Sequence, residues 1–185
     1  MRTFVAVFFP SEINTKLSRL IHDLSREAIG VKWVEGENLH MTLRFLGEMN
    51  ESDLGKLSGL ASATSQKVRS CTGRLSGLGA FPSLERPRVF WVAMKEGGTE
   101  LIDLSQELER GLVEAGFGKA DKPFKPHLTI GRVRVPKGID ALAQKVRKME
   151  FETEGFPIDS FSIVKSTLTG KGPIYTKLST FKLLL

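Results

Sequence analysis

Asn38-Leu39-His40-Met41-Thr42-Leu43-Arg44-Phe45-Leu46-Gly47 decides the fold, because its core returns later in the chain. Eighty-seven residues on (127 − 40), the sequence reads Pro126-His127-Leu128-Thr129-Ile130-Gly131-Arg132. Both copies have the form His-apolar-Thr-apolar, and they hold two of the three histidines among 185 residues. Side chains in a strand alternate faces with period two. His40 and Thr42 therefore share one face, with Met41 and Leu43 on the other, toward a core. His127 and Thr129 stand against Leu128 and Ile130 in the same way. Two such strands facing each other bring two proton-transfer groups and two hydroxyls into one space. By the same parity Arg44 joins the face of His40. Arg132 leaves the face of His127 unless the strand bulges near Gly131.

The context of the copies matches as well. Thr3 to Phe9 reads as a strand ended by Pro10, and Ser11 is placed to cap a helix carrying Ile13, Leu17, Leu20, Ile21 and Leu24. His22 on that helix has no motif around it and reads as a surface or boundary residue. Lys32-Trp33-Val34 and a polar turn lead into the first motif. Asn50 is the expected cap of a second helix, and Thr72 to Phe81 a further strand. The second half opens with a strand over Val89–Met94, then a helix from Thr99 carrying Leu101, Leu104, Leu108 and Leu112. A basic loop, Lys119 to Lys125, delivers the second motif, and Asp140 is the expected cap of a short helix. Strands over Phe151–Glu154, Ile158–Leu168 and Tyr175–Leu184 finish the chain, the last two joined by a turn at Gly170-Lys171-Gly172-Pro173. The first strand of the first half begins 37 residues before its histidine (40 − 3), and the second half, from 88, begins 39 before its own (127 − 88). The fold class expected is α+β: two lobes related by a pseudo-twofold, approximately 1–82 and 88–168, around a central cleft. The C-terminal strand completes a single domain, 1–185.

Composition is that of a globular protein, with 41% hydrophobic and 26% charged residues. The net charge of +6 and pI of about 9.5 favour an anionic partner, nucleic acid or nucleotide ahead of membrane. Lys122, Lys125, Arg132 and Arg134 are candidates for focusing that charge on the cleft. Cys71 is the only cysteine, which excludes an intrachain disulfide and a cysteine-rich metal site and suits a reducing cytoplasm. No apolar run reaches the ~20 residues of a membrane span. The opening Val5-Ala6-Val7-Phe8-Phe9 is too short for a signal peptide.

Histidine titrates near neutrality, so one of a pair can accept a proton while the other donates. Threonine hydroxyls beside them can bind phosphoryl oxygens, and a cationic cleft would hold the charge that builds during attack at phosphorus. This suits hydrolysis of a strained cyclic phosphodiester. Metal catalysis competes, since histidine is a common ligand, but neither motif is accompanied by HxH, HExxH or a carboxylate cluster.

The residues also carry a family resemblance. Arg2-Thr3-Phe4-Val5-Ala6-Val7, the stretch from Trp33 through Glu37-Asn38-Leu39-His40 to Gly47-Glu48, and Phe124-Lys125-Pro126-His127 to Arg132 resemble the 2H phosphoesterase superfamily. The ending Gly172-Pro173-Ile174-Tyr175 with Leu178 and Phe181 does so too. The resemblance is closest to the bacterial and archaeal RNA 2′,3′-cyclic phosphodiesterases, also called 2′-5′ RNA ligases. It implies two antiparallel sheets with helices outside and a metal-independent site, without cofactor, in the central cleft. It implies His40 as proton donor and His127 as proton acceptor, Thr42 and Thr129 as phosphate-binding residues, and Arg132 as a phosphate contact. The partners expected are RNA with 2′,3′-cyclic phosphate or 2′-phosphate ends, or nucleotides, and the protein is expected to act as a monomer without membrane. An RNA-end-binding module with little turnover, or a phosphodiesterase for another nucleotide such as a 2′-5′ oligonucleotide, are the alternatives.

Overall fold

The computed structural model describes residues 1–170 and 172–185. Apolar and β-branched runs become strands and the stretches of helical periodicity become helices. The order is β1 (Arg2–Phe8), α1 (Ser11–Ser25), β2 (Val31–Trp33), β3 (His40–Glu48), α2 (Leu54–Ser65), β4 (Cys71–Phe81), β5 (Val89–Glu96), α3 (Gly98–Glu114), β6 (His127–Val133), α4 (Ile139–Lys148), β7 (Phe156–Ile158), β8 (Ser160–Thr169) and β9 (Gly172–Lys182). Short 3₁₀ turns at Gly36–Asn38 and Glu51–Asp53 precede β3 and α2. The expected turn after Gly170 includes Lys171, which lies outside the described residues.

Two antiparallel sheets result, one ordered β3-β1-β8-β9 and the other β2-β6-β5-β4-β7. The order reveals a reciprocal exchange. In each half a first strand (β1 or β5) pairs with its own motif strand (β3 or β6). The strand that ends each half crosses over: β4 pairs with β5, and β8 pairs with β1. The helices cross too, since α1 and α4 contact β2 and β4, whereas α2 and α3 pack together and contact β9 and β3 respectively. Contiguous lobes at 1–82 and 88–168 are therefore not the units from which the sheets are made. Each sheet takes strands from both segments, because an exposed strand edge is satisfied by whichever partner lies beside it.

Local details differ from the sequence reading in three places. Lys32-Trp33 belongs to an edge strand, β2, which pairs with the end of β6. Phe151–Glu154 is not a strand and contributes only an isolated bridge, Ser76 to Glu152. None of the helices carries the side-chain cap expected of it; Pro10, Asp53, Gly97 and Gly138 occupy the N-cap positions. The two glycines there have φ of 80° and 75°, a conformation that side-chain-bearing residues rarely adopt.

Behind the motif strands the packing is dense. Leu39, Met41, Leu43, Leu128 and Ile130 are buried with Leu101, Leu104 and Leu108 in the main core. Burying such a side chain contributes roughly 1.5–3 kcal/mol, so the face that carries the histidines has a rigid backing.

Candidate active site

The two motif strands approach within 8 Å of each other at their Cα atoms, and their histidines and threonines line one cleft of about 920 Å³. Each imidazole is anchored in the same way. His40 Nδ1 donates to the carbonyl of Asn38 at 2.6 Å, and His127 Nδ1 donates to the carbonyl of Lys125 at 2.6 Å. A carbonyl can only accept, so Nδ1 holds the proton of the neutral ring and Nε2 is left as the free basic nitrogen.

The surroundings of the two rings differ. His40 sits among Phe4, Phe8 and Tyr175, with ring centroids 4.8, 5.7 and 5.0 Å away. His127 meets Phe81 edge-on at 5.0 Å. Burial holds the pKa of His40 below the ordinary histidine value, and the Arg132 guanidinium adds to this against the opposing effect of the Asn38 carbonyl. Burial likewise depresses His127; the Lys125 carbonyl opposes it, and the charges of Arg132 and Lys125 reinforce it. Arg132 thus lies close enough to both histidines to act on each.

Arg132 reaches the cleft through a bulge. Trp91 stands opposite Thr129 and Phe90 opposite Gly131, so Ile130 is the extra residue and the parity of β6 inverts after it. Gly131 lies beneath β2, where a Cβ would come within 2.8 Å of both Trp33 and Val31. The first motif bulges at the equivalent place. Ala6 stands opposite Thr42 and Val5 opposite Arg44, which makes Leu43 the extra residue. Arg44 consequently leaves the face of His40, contrary to simple alternation. Its guanidinium bonds Glu109 at 2.7 Å and the carbonyls of Phe45 and Gly118, clamping β3 to α3. Phe45 takes the cleft position instead, with the Arg2 guanidinium 5.0 Å from its ring centroid.

Thr42 and Thr129 line the same cleft, and among the described residues their hydroxyls have no hydrogen-bond partner. Arg134 also lies on the cleft wall, whereas Lys122 and Lys125 do not line it. Three further cleft residues, Phe45, Arg2 and Tyr175, carry no expected role from the sequence. Burial raises the Tyr175 pKa against the opposing charges of Arg132 and Arg2, so its hydroxyl stays a donor at neutral pH. Among the described residues no three metal-ligating side chains converge.

The sequence model of the 2′-5′ RNA ligase superfamily matches residues 9–170. The chain belongs to that superfamily. An RNA 2′,3′-cyclic phosphodiesterase of Archaeoglobus fulgidus is 41% identical over 184 residues, covering 98% of this chain and 100% of the relative. One of Aquifex aeolicus is 35% identical over 99% of this chain and 97% of the relative. Among solved structures, E. coli LigT complexed with 3′-AMP superposes with a TM-score of 0.77 at 26% identity, over 98% of this chain and 97% of that one. The two-sheet architecture with its outer helices is thus that of the 2′-5′ RNA ligase superfamily.

Proposed function

We propose that this protein opens 2′,3′-cyclic phosphodiester ends of RNA to 2′-phosphates, without a metal, using His40 as proton donor and His127 as proton acceptor. The observation that carries this reading is the pair of identically anchored imidazoles with free Nε2 atoms in one cleft. The activity named for relatives of 41% and 35% identity supports it.

In the reaction, Nε2 of neutral His127 takes a proton from water as the water oxygen bonds to phosphorus. The bond to the ribose 3′ oxygen breaks on the opposite side, and Nε2–H of protonated His40 supplies the proton that oxygen needs. Nucleophile and leaving group lie in line, so acid and base come from different motif strands. Thr42, Thr129, Tyr175 and Arg132 donate to the phosphoryl oxygens, with Arg132 offsetting the developing charge. Phe45 offers an apolar face to the terminal base. The same site supports 2′-5′ joining when a ribose 5′ hydroxyl takes the place of water. The assignment of acid and base rests on the family resemblance, since the two anchors are alike. The protein is read as a monomer, and its lone Cys71 is the reason for placing it in a reducing cytoplasm.

The test is multiple turnover on RNA ending in a 2′,3′-cyclic phosphate, with and without EDTA, and analysis of the product end. A 2′-phosphate formed at an unchanged rate in EDTA is expected. Binding without turnover would favour an RNA-end-binding module, and loss in EDTA restored by one divalent ion would overturn the two-histidine mechanism.

A further inference from the structure

Past Arg132, the cleft continues to a wall that the reaction at the terminal phosphate does not use. Lys32 stands opposite Arg132 across the β2–β6 ladder. Its Nζ lies 3.8 Å from where a Cβ on Gly172 would stand, against the start of β9. Arg134 lies just past the end of β6 on the same wall. Neither cation has a carboxylate partner among the described residues, although cations elsewhere on the surface commonly do: Lys16 pairs with Glu154, Arg74 with Glu96 and Arg147 with Glu85. Glu35 and Glu37 also line the cleft. Against Arg2, Lys32, Arg132 and Arg134 they leave its lining at a net +2 (4 − 2).

Leu168 on β8 and Pro173 on β9 stand opposite each other in the ladder, so they share a face, and both line this wall. Leu168 is 66% exposed, so the fold leaves most of its apolar surface in water. The start of β9 is tied to the first motif, because Asn38 Nδ2 donates to the Pro173 carbonyl at 3.3 Å. The carbonyl of the same Asn38 anchors His40. The cleft volume, about 920 Å³, is near the top of the roughly 300–1,000 Å³ range of pockets for drug-sized ligands. It has room beyond a single terminal nucleotide.

We propose that Lys32, Arg134, Leu168 and Pro173 form a subsite for the nucleotide one phosphodiester 5′ of the reacting end. The cations meet the linking phosphate and the two apolar side chains meet the base. The occupant is a single RNA strand, because unpaired cations next to an apolar pair complement a phosphodiester next to a base. The enzyme then prefers oligonucleotides to mononucleotide cyclic phosphates. This inference rests on the proposed function.

The experiment compares kcat/KM for a mononucleotide 2′,3′-cyclic phosphate with that for a trinucleotide carrying the same end. It uses the wild type, Leu168→Ser, and Lys32→Ala. The wild type is expected to favour the trinucleotide by about tenfold or more, the effect of burying modest apolar area plus one charge contact. Leu168→Ser loses most of that preference while its mononucleotide rate, which also reports correct folding, stays within about twofold. Lys32→Ala lowers the log–log salt slope for the trinucleotide alone, by about 0.7 for one single-strand phosphate. Equal wild-type rates on the two substrates, or variant losses shared equally by both, would overturn the subsite and leave the proposed function standing. Absence of turnover on either substrate would overturn the proposed function and the subsite with it.

Discussion

The two motif strands are built alike up to the threonine and then part company. In β3 and β6 alike, a histidine donates its Nδ1–H to the carbonyl two residues upstream at 2.6 Å, a threonine follows on the same face, and a bulge comes next. Beyond the bulge β3 presents Phe45, under the Arg2 guanidinium, while β6 presents Arg132. The common part suits proton transfer, which needs two similar groups on opposite sides of phosphorus. The divergent part suits an asymmetric substrate, with a base on one side and a charged phosphate on the other. Under the proposed function, a duplicated framework gives symmetric chemistry and a directional binding site.

Removing the symmetric part has the largest effect. His40→Ala and His127→Ala are each expected to lower kcat by about 10²–10⁴, measured under saturating cyclic-ended RNA. Unequal anchoring would show as a large loss in only one of them.

Breaking the charged side comes next. Arg132→Ala is expected to lower kcat/KM by about 10² through lost stabilisation of the transition-state charge. It also moves the pH profile. Burial is the main reason both histidines titrate low, but the Arg132 charge adds to it at each ring by disfavouring the imidazolium. Without that guanidinium both pKa values rise, so both limbs of the kcat/KM bell shift to higher pH. A profile that stays in place would mean Arg132 does not sense the histidines.

The apolar side yields the smallest effect of the three. Phe45→Ala is expected to raise KM by about tenfold, the lower range for loss of one base–aromatic contact, with kcat changed little. A fall in kcat without a change in KM would place Phe45 in the transition state rather than in base binding.

Much of this difference lay within reach of the sequence. The repeated His-apolar-Thr core located the cleft, and the apolar residues between the polar ones marked the buried side. Period-two alternation misplaced Arg44 because it takes no account of an inserted residue, and the bulge at Leu43 shifts Arg44 and Phe45 by one face. A signal for this was present: aligning the copies sets Phe45 against Arg132, each five residues after its histidine (45 − 40 and 132 − 127). The exchange of β4 and β8 between sheets was not legible. Hydrophobic periodicity reports which face of a strand is buried and carries no information about which edge it joins. The place of Tyr175 depends on that exchange, since β8 and β9 bring it beside His40 only after joining β1.

The most direct measurement of the central assignment uses a cyclic substrate in which sulfur replaces the 3′ leaving oxygen. Sulfur leaves with little need for a proton, so the acid becomes dispensable while the base does not. The expected result is recovery of most activity in His40→Ala, with His127→Ala still slowed by about 10² or more. Rescue of His127→Ala instead would reverse the two roles. Equal behaviour of both variants on oxygen and sulfur substrates would contradict acid–base catalysis by the pair.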